Sequence, residues 1–180
     1  MNKIGMIFGT DTGYTRRIAK QMAKKLGEQA DKPVNVNRIE LADFLAYDAL
    51  ILGTPTYGDG VLPGRDTGIE AGSWAEFLPQ LDGYDLSGKT IAIYGFGDQL
   101  KYEDRFVNGM RIFYDKLISL GATVVGAWPI KGYEFENSTA VIDDYFVGLA
   151  LDEKNQAMLT EKRVDDWLAM ITPELFATLK

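Results

Sequence analysis

Three threonines surround one glycine in the segment Thr10-Asp11-Thr12-Gly13-Tyr14-Thr15, which directly follows the apolar run Ile4-Gly5-Met6-Ile7-Phe8. This order predicts a strand, then a turn rich in hydroxyl groups, then a helix. The N-terminus of a helix presents unpaired N–H groups and the positive end of the helix dipole to an anion. The threonine hydroxyls add donors, and Gly13 allows close backbone approach. The turn could therefore hold a phosphate group without a lysine.

Two other phosphate-binding motifs do not fit this chain. A Walker loop has four residues between its glycines, followed by Lys and then Ser or Thr. Here Gly9 and Gly13 enclose three residues, and Tyr14 follows. The dinucleotide fingerprint Gly-x-Gly-x-x-Gly begins at Gly95-Phe96-Gly97 but has Leu100 in its last position. A capped helix without a ligand is the alternative for the threonine turn, because Thr and Asp are ordinary N-cap residues.

The composition of the 180-residue chain narrows the classes of function. A hydrophobic content of 46% predicts one globular domain over residues 1–180. The net charge of −7 argues against nucleic acid or an anionic membrane as the main partner and favours a basic protein surface. The chain has no cysteine and no histidine, so it lacks a thiol nucleophile and the commonest general base, and we expect no metal site. Demanding chemistry would therefore require a cofactor.

The sequence also bears on location. The first predicted strand begins almost at Met1, which leaves no room for a signal peptide. The apolar run 146–151 has only six residues, far too few to span a membrane. We therefore expect a soluble cytoplasmic monomer.

Segments of strand length alternate with segments of helical spacing, which predicts a parallel sheet with helices on both faces. The predicted strands are residues 4–8, 34–36, 49–52, 90–94 and, as the beginning of a fifth strand, 123–125. The apolar positions of the first and fourth helices are Ile18, Met22 and Leu26, before Gly27, and Phe106, Met110, Phe113, Leu117 and Leu120, before Gly121. A last helix is predicted to start near Thr160 and to end near Pro173.

Two segments interrupt this alternation. Residues 61–72 form a loop that contains glycine and proline and is too irregular for a helix or a strand. Residues 128–145 are aromatic and charged, and they separate the beginning of the fifth strand from a second apolar segment at 146–147. We interpret them as an insertion in the fifth strand or at its exit, because long loops in compact domains are usually functional or have structure of their own.

Three turns rich in hydroxyl groups or glycine follow three of the predicted strands. They are the threonine turn, the segment 54–60 and the segment 95–99. The carboxyl ends of parallel strands meet at one edge of a sheet, and ligands bind there where the strand order reverses. The sequence therefore predicts a single ligand site built from all three turns.

These motifs resemble the flavodoxin family, and the resemblance covers essentially the whole chain. The threonine turn resembles the family's FMN-phosphate loop. The segments Thr56-Tyr57-Gly58-Asp59-Gly60 and Gly97-Asp98-Gln99, with Tyr102, resemble the two loops that hold the isoalloxazine ring. The insertion at 128–145 and the segments 148–152 and 155–156 resemble those of long-chain members.

The resemblance implies a flavodoxin-like α/β sandwich with a five-stranded parallel sheet of order 2-1-3-4-5. It further implies one non-covalently bound FMN and one-electron transfer at low potential, without substrate turnover, between a flavodoxin or ferredoxin reductase, or another low-potential donor, and acceptor enzymes. The loop that starts at Val61 and ends at Ser73-Trp74 is similar to that of flavodoxins from nitrogen-fixing bacteria, so nitrogenase reductase is a candidate acceptor.

Within these loops, single residues have expected roles and plain alternatives. Tyr57 and Tyr102 would stack on the flavin, since aromatic faces stack on flat rings; the alternative is two ordinary tyrosines. Reduction to the neutral semiquinone creates an N–H donor at N5, and a flip of the Gly58-Asp59 peptide would direct a carbonyl toward it, which glycine permits; the alternative is a plain turn. Asp98, with the backbone of Gly97 and Gln99, would bond the pyrimidine edge of the ring, or Asp98 would be an N-cap.

Two other classes of function are alternatives. An FMN-dependent quinone reductase has a related fold, but Tyr102 over one face of the ring would close the space that a hydride donor and a quinone need. A signalling receiver domain needs clustered acids around a phosphorylatable aspartate at strand ends, whereas the first strand here ends in Gly9-Thr10.

Overall fold

The central sheet of the computed structural model, which describes residues 2–10 and 13–179, is parallel and has the strand order 2-1-3-4-5. Its strands are β1 Gly5–Phe8, β2 Val34–Asn35, β3 Ala49–Pro55, β4 Thr90–Phe96 and β5 Thr123–Val125, with the later piece β9 Leu149–Leu151. The residues of β1 are all buried, as are those of β3 from Ala49 to Thr54. Continuous burial is typical of strands covered on both faces, and the predicted order is confirmed.

Five α-helices cover the two faces of the sheet in the described part of the chain. They are α1 Tyr14–Leu26, α2 Leu41–Ala46, α3 Trp74–Phe77, α4 Gly109–Ser119 and α5 Ala157–Thr178. One apolar cluster joins α1 and α5 to one face of the sheet, and a second joins α2, α3 and α4 to the other. None of the helices in residues 2–10 and 13–179 is both long and apolar enough to cross a bilayer.

The fifth strand is interrupted by the predicted insertion. β5 pairs with the first half of β4, at Thr90 to Ala92, and β9 pairs with its second half, at Tyr94 to Phe96. Between them the chain forms a small antiparallel sheet from β6 Trp128–Pro129, β7 Val141–Ile142 and β8 Tyr145–Phe146. The insertion therefore has structure of its own, and the strand that it interrupts reaches the carboxyl edge of the sheet only through β9.

The last helix is longer at both ends than the sequence predicts. It begins at Ala157 rather than near Thr160, and it continues past Pro173 to Thr178. A proline inside a helix removes one hydrogen bond and clashes with the preceding turn, at a cost of about 3 kcal/mol. Leu175 is fully buried beyond the proline. Because burial of a leucine contributes about 1.5–3 kcal/mol, packing offsets much of that cost.

Two other predicted boundaries are wrong by a few residues. Phe106 has the spacing of the fourth helix, but α4 begins only at Gly109, because Val107 has a φ of +49° that a right-handed helix cannot contain. β2 ends at Asn35 rather than Val36. The Asn35 side chain accepts a hydrogen bond from the N–H of Asn37, at 3.2 Å, and this bond turns the chain.

Candidate functional site

The three predicted turns lie at the carboxyl edge of the sheet and are connected to one another by hydrogen bonds. The Thr56 N–H donates to the Phe96 carbonyl at 3.1 Å, which ties the turn after β3 to the end of β4. The Tyr94 hydroxyl donates to the carbonyl of Thr15 at 2.7 Å, which ties β4 to the threonine turn. The structure therefore brings the predicted loops together around one edge.

The threonine turn is described in part, since Asp11 and Thr12 lie outside the described residues. The Thr10 hydroxyl oxygen accepts a hydrogen bond from the Gly13 N–H at 2.9 Å, which leaves the Thr10 proton for a ligand. Thr15 is buried, and its hydroxyl donates to the Gly9 carbonyl. In this structure that proton therefore closes the turn, and the predicted role of the Thr15 hydroxyl as a ligand donor stays a prediction.

The first backbone donors of α1 have no hydrogen-bond partner among residues 2–10 and 13–179. The first helical bond runs from the Arg17 N–H to the Gly13 carbonyl at 2.9 Å, so the N–H groups of Tyr14, Thr15 and Arg16 have no partner within the helix. The first turn contains no acidic residue but does contain two arginines, although helix N-termini favour negative charge. Arg17 is paired with the Glu153 carboxylate at 2.8 Å. The positive potential that an anion requires therefore comes from the helix dipole and Arg16, beside the N–H donors.

The side chain of Tyr14 turns away from these donors. Its ring stacks on Phe96, with centroids 5.8 Å apart and planes 27° from parallel. The guanidinium of Arg17 and the ammonium of Lys154 lie 5.4 and 5.9 Å from the Tyr14 centroid. Tyr14 thus packs against the end of β4, and its own N–H makes no hydrogen bond within the part of the chain that the structure describes.

Ser73 is a residue of this region that sequence reasoning missed. Its hydroxyl is buried and, within the described residues, has no hydrogen-bond partner. It lies beside the threonine turn, since a Cβ on Gly9 would be 2.6 Å from the Ser73 oxygen. A buried hydroxyl without a partner is costly unless a ligand or water completes its bonding. The only sequence signal was its position at the end of the 61–72 loop.

The turn after β3 is closed by its own backbone. The Tyr57 carbonyl accepts from the N–H groups of Gly60 and Val61, at 2.9 and 3.0 Å, and the Tyr57 N–H donates to Val61 at 2.9 Å. Gly58 and Gly60 have φ values of +39° and +87°, which glycine adopts at little cost. Gly58 and Asp59 are exposed and Tyr57 is half-buried. The turn therefore presents its tip to solvent at the sheet edge.

The turn after β4 uses much of its polar surface internally. The Gly97 N–H donates to Leu151 at 3.1 Å, and the Gln99 N–H donates to the Asp152 carboxylate at 3.1 Å. The Gln99 side chain is buried and donates to the same carboxylate at 2.8 Å. In this structure these two N–H groups are therefore bonded within the protein. Both are engaged by the strand that returns from the insertion.

Asp98 caps the turn that follows it, whereas the alternative interpretation was the N-cap of a helix. Its Oδ1 accepts from the N–H of Lys101 at 2.9 Å, from the N–H of Leu100 at 3.3 Å and from the Asn155 amide at 2.8 Å. Partial burial opposes ionisation of Asp98, but these bonds outweigh it and lower the pKa of the carboxyl below its ordinary value. The predicted role of Asp98 and of the Gly97 and Gln99 backbone at the pyrimidine edge of the ring stays a prediction.

Tyr102 lies at the same edge of the sheet, and two cationic side chains lie close to its ring. Its ring is half-exposed, and the Lys101 ammonium and the Arg105 guanidinium each lie 5.2 Å from the ring centroid. Arg105 also donates through Nε to the Gly58 carbonyl at 2.9 Å. The two predicted ring loops are therefore joined directly, by a residue that the sequence analysis did not assign to the site.

Asp152 holds the turn after β4 in place. It is fully buried, and its carboxylate accepts five hydrogen bonds from three residues, namely Gln99, Lys154 and Asn155. Such complete bonding is what allows an acidic side chain to be buried. Sequence reasoning missed this role, because the partners Gln99 and Asp152 are 53 residues apart.

The insertion supports the same loop from the side. The N–H groups of Glu136 and Asn137 donate to the Glu103 carbonyl, at 2.8 and 2.9 Å. Tyr133 packs against Phe106 and donates through its hydroxyl to Ala150 at 2.6 Å. Burial raises the pKa of Tyr133 to about 12, although the cation of Arg163 lies 4.0 Å from its ring centroid. The insertion thus acts as a rigid support for residues 97–108.

The open parallel sheet, with three loops gathered where the strand order reverses, defines a doubly wound α/β protein with its ligand site at the carboxyl edge. A family model described as Flavodoxin matches residues 6–167. A flavodoxin of Klebsiella pneumoniae is 55% identical over 171 residues, which cover 95% of this chain and 97% of that protein. This chain belongs to the flavodoxin family.

Two further comparisons agree with this assignment. A flavodoxin of Synechocystis sp. is 42% identical over 176 residues, which cover 97% of this chain and 99% of that protein. The crystal structure of Fusobacterium nucleatum flavodoxin bound to flavin mononucleotide superimposes with a TM-score of 0.86 at 33% identity, covering 96% of this chain and 98% of that one.

Proposed function

We propose that this chain is a low-potential one-electron carrier that binds one FMN non-covalently at its three loops. The observation that carries the proposal is the start of α1, where the N–H groups of Tyr14, Thr15 and Arg16 have no partner among the described residues and the first turn contains no acidic residue. The unpartnered Ser73 hydroxyl and the half-exposed Tyr57 and Tyr102 suit a ligand with both a phosphate and a flat ring. The F. nucleatum flavodoxin, whose fold is closely similar, is bound to that ligand.

The residues divide between the two ends of such a ligand. The N–H groups of Tyr14, Thr15 and Arg16, with the Thr10 hydroxyl, would hold the phosphate, and Gly13 keeps the helix start open. Asp11 and Thr12 are assigned there from the sequence alone.

At the other end, Tyr57 and Tyr102 would cover the ring and exclude water, and Thr56, Gly58, Asp59 and Gly60 form the turn along its edge. Gly97, Asp98 and Gln99 hold the opposite loop in place through the bonds described above. When bound, FMN supplies the one-electron chemistry that the side chains lack.

The phosphate assignment predicts a strong preference for FMN over riboflavin, which lacks the phosphate. A phosphomonoester is largely dianionic at neutral pH, and a hydrogen bond to a charged group is worth about 1.5–3 kcal/mol. Replacing Thr12 by valine should therefore weaken FMN binding by about 10- to 100-fold and riboflavin binding much less, as measured by fluorescence titration.

The matched control is Thr123→Val, because Thr123 is exposed at the start of β5, at the opposite edge of the sheet. It should bind both ligands as the unchanged protein does. An equal loss of FMN and riboflavin affinity in Thr12→Val would exclude the phosphate role of the threonine turn.

The same preparation separates a carrier from a quinone reductase. We expect the FMN-loaded protein to be yellow and not to oxidise NAD(P)H unless a reductase is added, because Tyr102 would cover one face of the ring. Unaided NAD(P)H oxidation that passes electrons to a quinone would favour the enzyme.

We propose redox proteins as the partners, with a flavodoxin or ferredoxin reductase, or another low-potential donor, supplying electrons. Nitrogenase reductase is the proposed acceptor, on the similarity of the 61–74 segment to flavodoxins of nitrogen-fixing bacteria. The charge supports basic surfaces on these partners, since 26 acidic residues outnumber 19 basic ones. Asp59, Glu103 and Asp104 are exposed on the two ring loops themselves.

Electrostatic docking of this kind predicts that transfer slows as salt rises. Transient electron-transfer interfaces are small and depend on charge steering. Screening takes effect as the Debye length falls below about 10 Å, near 0.1 M salt. The rate of reduction by a reductase, measured by stopped flow, should therefore fall as the salt concentration rises. In Glu103→Gln this rate should fall less steeply with salt.

Glu28→Gln is the matched control for that experiment. Glu28 is an exposed glutamate that follows the C-terminal end of α1, so it lies at the sheet edge remote from the ring loops. It should keep the salt dependence of the unchanged protein. Rates that stay flat with salt, or equal effects of the two substitutions, would exclude docking through the ring loops.

A further inference from the structure

The carbonyl of Gly58 is held by a cation from the other ring loop. Arg105 donates to it through Nε at 2.9 Å, across 47 residues of sequence. We propose that Arg105 is a positioning residue that lowers the first of the two one-electron potentials, by holding the Gly58 carbonyl away from the ring. This inference rests on the proposed FMN function and adds to it the residue that sets the potential.

The guanidinium of Arg105 is fixed on several sides. Its Nη1 donates to both carboxylate oxygens of Asp104, at 2.8 and 3.0 Å. Its Cζ lies 5.2 Å from the Tyr102 centroid, and its backbone N–H donates to the Tyr102 carbonyl at 3.1 Å. The side chain is only 31% exposed. Because the donor is held in place before it meets Gly58, little conformational entropy opposes the bond.

The peptide that carries this carbonyl is otherwise able to turn. The turn is closed by bonds between Tyr57, Gly60 and Val61, and none of these bonds uses the Gly58 carbonyl or the Asp59 N–H. Gly58 has a φ of +39°, and a Cβ placed on it would meet no atom within 4 Å. Rotation of the Gly58–Asp59 peptide therefore breaks the Arg105 bond while it leaves the frame of the turn intact.

The Arg105 bond and a bond to the ring exclude each other. One electron from a redox partner and one proton from solvent would give a bound flavin an N–H donor at N5, and the carbonyl would have to leave Arg105 to accept from it. Loss of a charge-assisted bond opposes that rotation. The bond therefore favours the oxidised state and makes the first potential more negative than it would be with a free carbonyl.

Lys101 provides a control for the charge of Arg105. Its ammonium lies at the same 5.2 Å from the Tyr102 centroid, but the bond to Gly58 belongs to Arg105. Adding one electron together with one proton leaves the net charge of the ring unchanged, so removing either cation should change the first potential little. Removing the bond to Gly58 should raise it. Only Arg105→Met removes that bond, so the first potentials of Arg105→Met and Lys101→Met should diverge.

The experiment measures both one-electron potentials of the FMN-loaded variants by spectroelectrochemical titration. We expect a tenfold change in the peptide equilibrium, so that the first potential of Arg105→Met lies about 59 mV above that of Lys101→Met. A first potential in Arg105→Met equal to or below that of Lys101→Met would overturn the proposal. If Arg105→Met does not fold, Arg105→Lys, which keeps the charge but not the planar donor, should raise the first potential relative to the unchanged protein.

A second measurement uses the protein without cofactor. The amide resonance of Asp59 reports the peptide that Arg105 holds, so it should shift in Arg105→Met and not in Lys101→Met; equal spectra would overturn the proposal. Failure of the unchanged protein to bind FMN would overturn the proposed function and the role of Arg105 together. Normal FMN binding with indistinguishable first potentials would overturn the role of Arg105 alone.

Discussion

Replacing Trp74 by alanine is expected to lower the free energy of unfolding by about 3–5 kcal/mol, the usual cost of truncating a buried tryptophan. Trp74 is fully buried and meets Phe113 edge to face, with ring centroids 4.6 Å apart. Its indole N–H also donates to the Gly53 carbonyl at 2.8 Å. The Gly53 carbonyl keeps its bond from the Gly9 N–H at 2.9 Å, so loss of the indole bond adds about 1 kcal/mol. The free energy of unfolding of a whole domain is about 5–15 kcal/mol. This one substitution therefore removes a large part of it.

Urea denaturation followed by far-UV circular dichroism measures the loss. Trp74→Phe is the control, because it keeps an aromatic ring beside Phe113 and removes the N–H. It should cost less than Trp74→Ala. A loss below about 1 kcal/mol in Trp74→Ala would contradict the view that α3 is held to the sheet by this side chain.

Replacing Gly53 by alanine should lower the free energy of unfolding nearly as much, because it adds an atom to a filled core instead of removing atoms from it. A Cβ at Gly53 would lie 2.1 Å from Cζ of Tyr94 and 2.3 Å from its hydroxyl oxygen. Tyr94 is fully buried, so its ring has nowhere to move, and overpacking of this kind costs about 1–3 kcal/mol and sometimes more. Displacing the ring would also break its bond to the Thr15 carbonyl, worth about 1 kcal/mol.

A double-mutant cycle tests this explanation. In a Tyr94→Leu background the ring is gone, so adding Gly53→Ala should cost much less than it does in the unchanged protein. An equal cost in both backgrounds would mean that the methyl group is not excluded by Tyr94. Because Tyr94 bonds to the first turn of α1, Gly53→Ala should also weaken FMN binding by the proposed site.

Much of the fold follows from the sequence because its signals are local. The runs that become β1, β3 and β4 are continuously apolar, a pattern that is typical of strands covered on both faces. The insertion was predictable from the break between Val125 and Phe146. The end of α5 was not, since Pro173 is a local stop signal that the burial of Leu175 overrides. A pattern confined to neighbours in sequence cannot contain that tertiary contact.

The candidate site divides in the same way. Its three loops were predictable, because parallel strands bring their carboxyl ends to one edge. The direction of individual groups was not. Gln99 points inward to Asp152 and Thr15 closes its own turn, while Arg105 reaches the Gly58 carbonyl. Each of these depends on a partner chosen by three-dimensional proximity, and residue type alone does not reveal it.

Because the fifth strand is split, we expect the site to open locally while the rest of the domain stays folded. The first half of β4 is covered by β5, whereas its second half, which leads into the ring loop, is covered only after the chain returns as β9. The insertion, β9 and the bonds from Gln99 to Asp152 can therefore come apart together while the first four strands stay paired. Amide protons such as that of Gly97 would then exchange with solvent through this partial opening, at a free energy below that of global unfolding. Cofactor loss would follow the same route without unfolding of the domain.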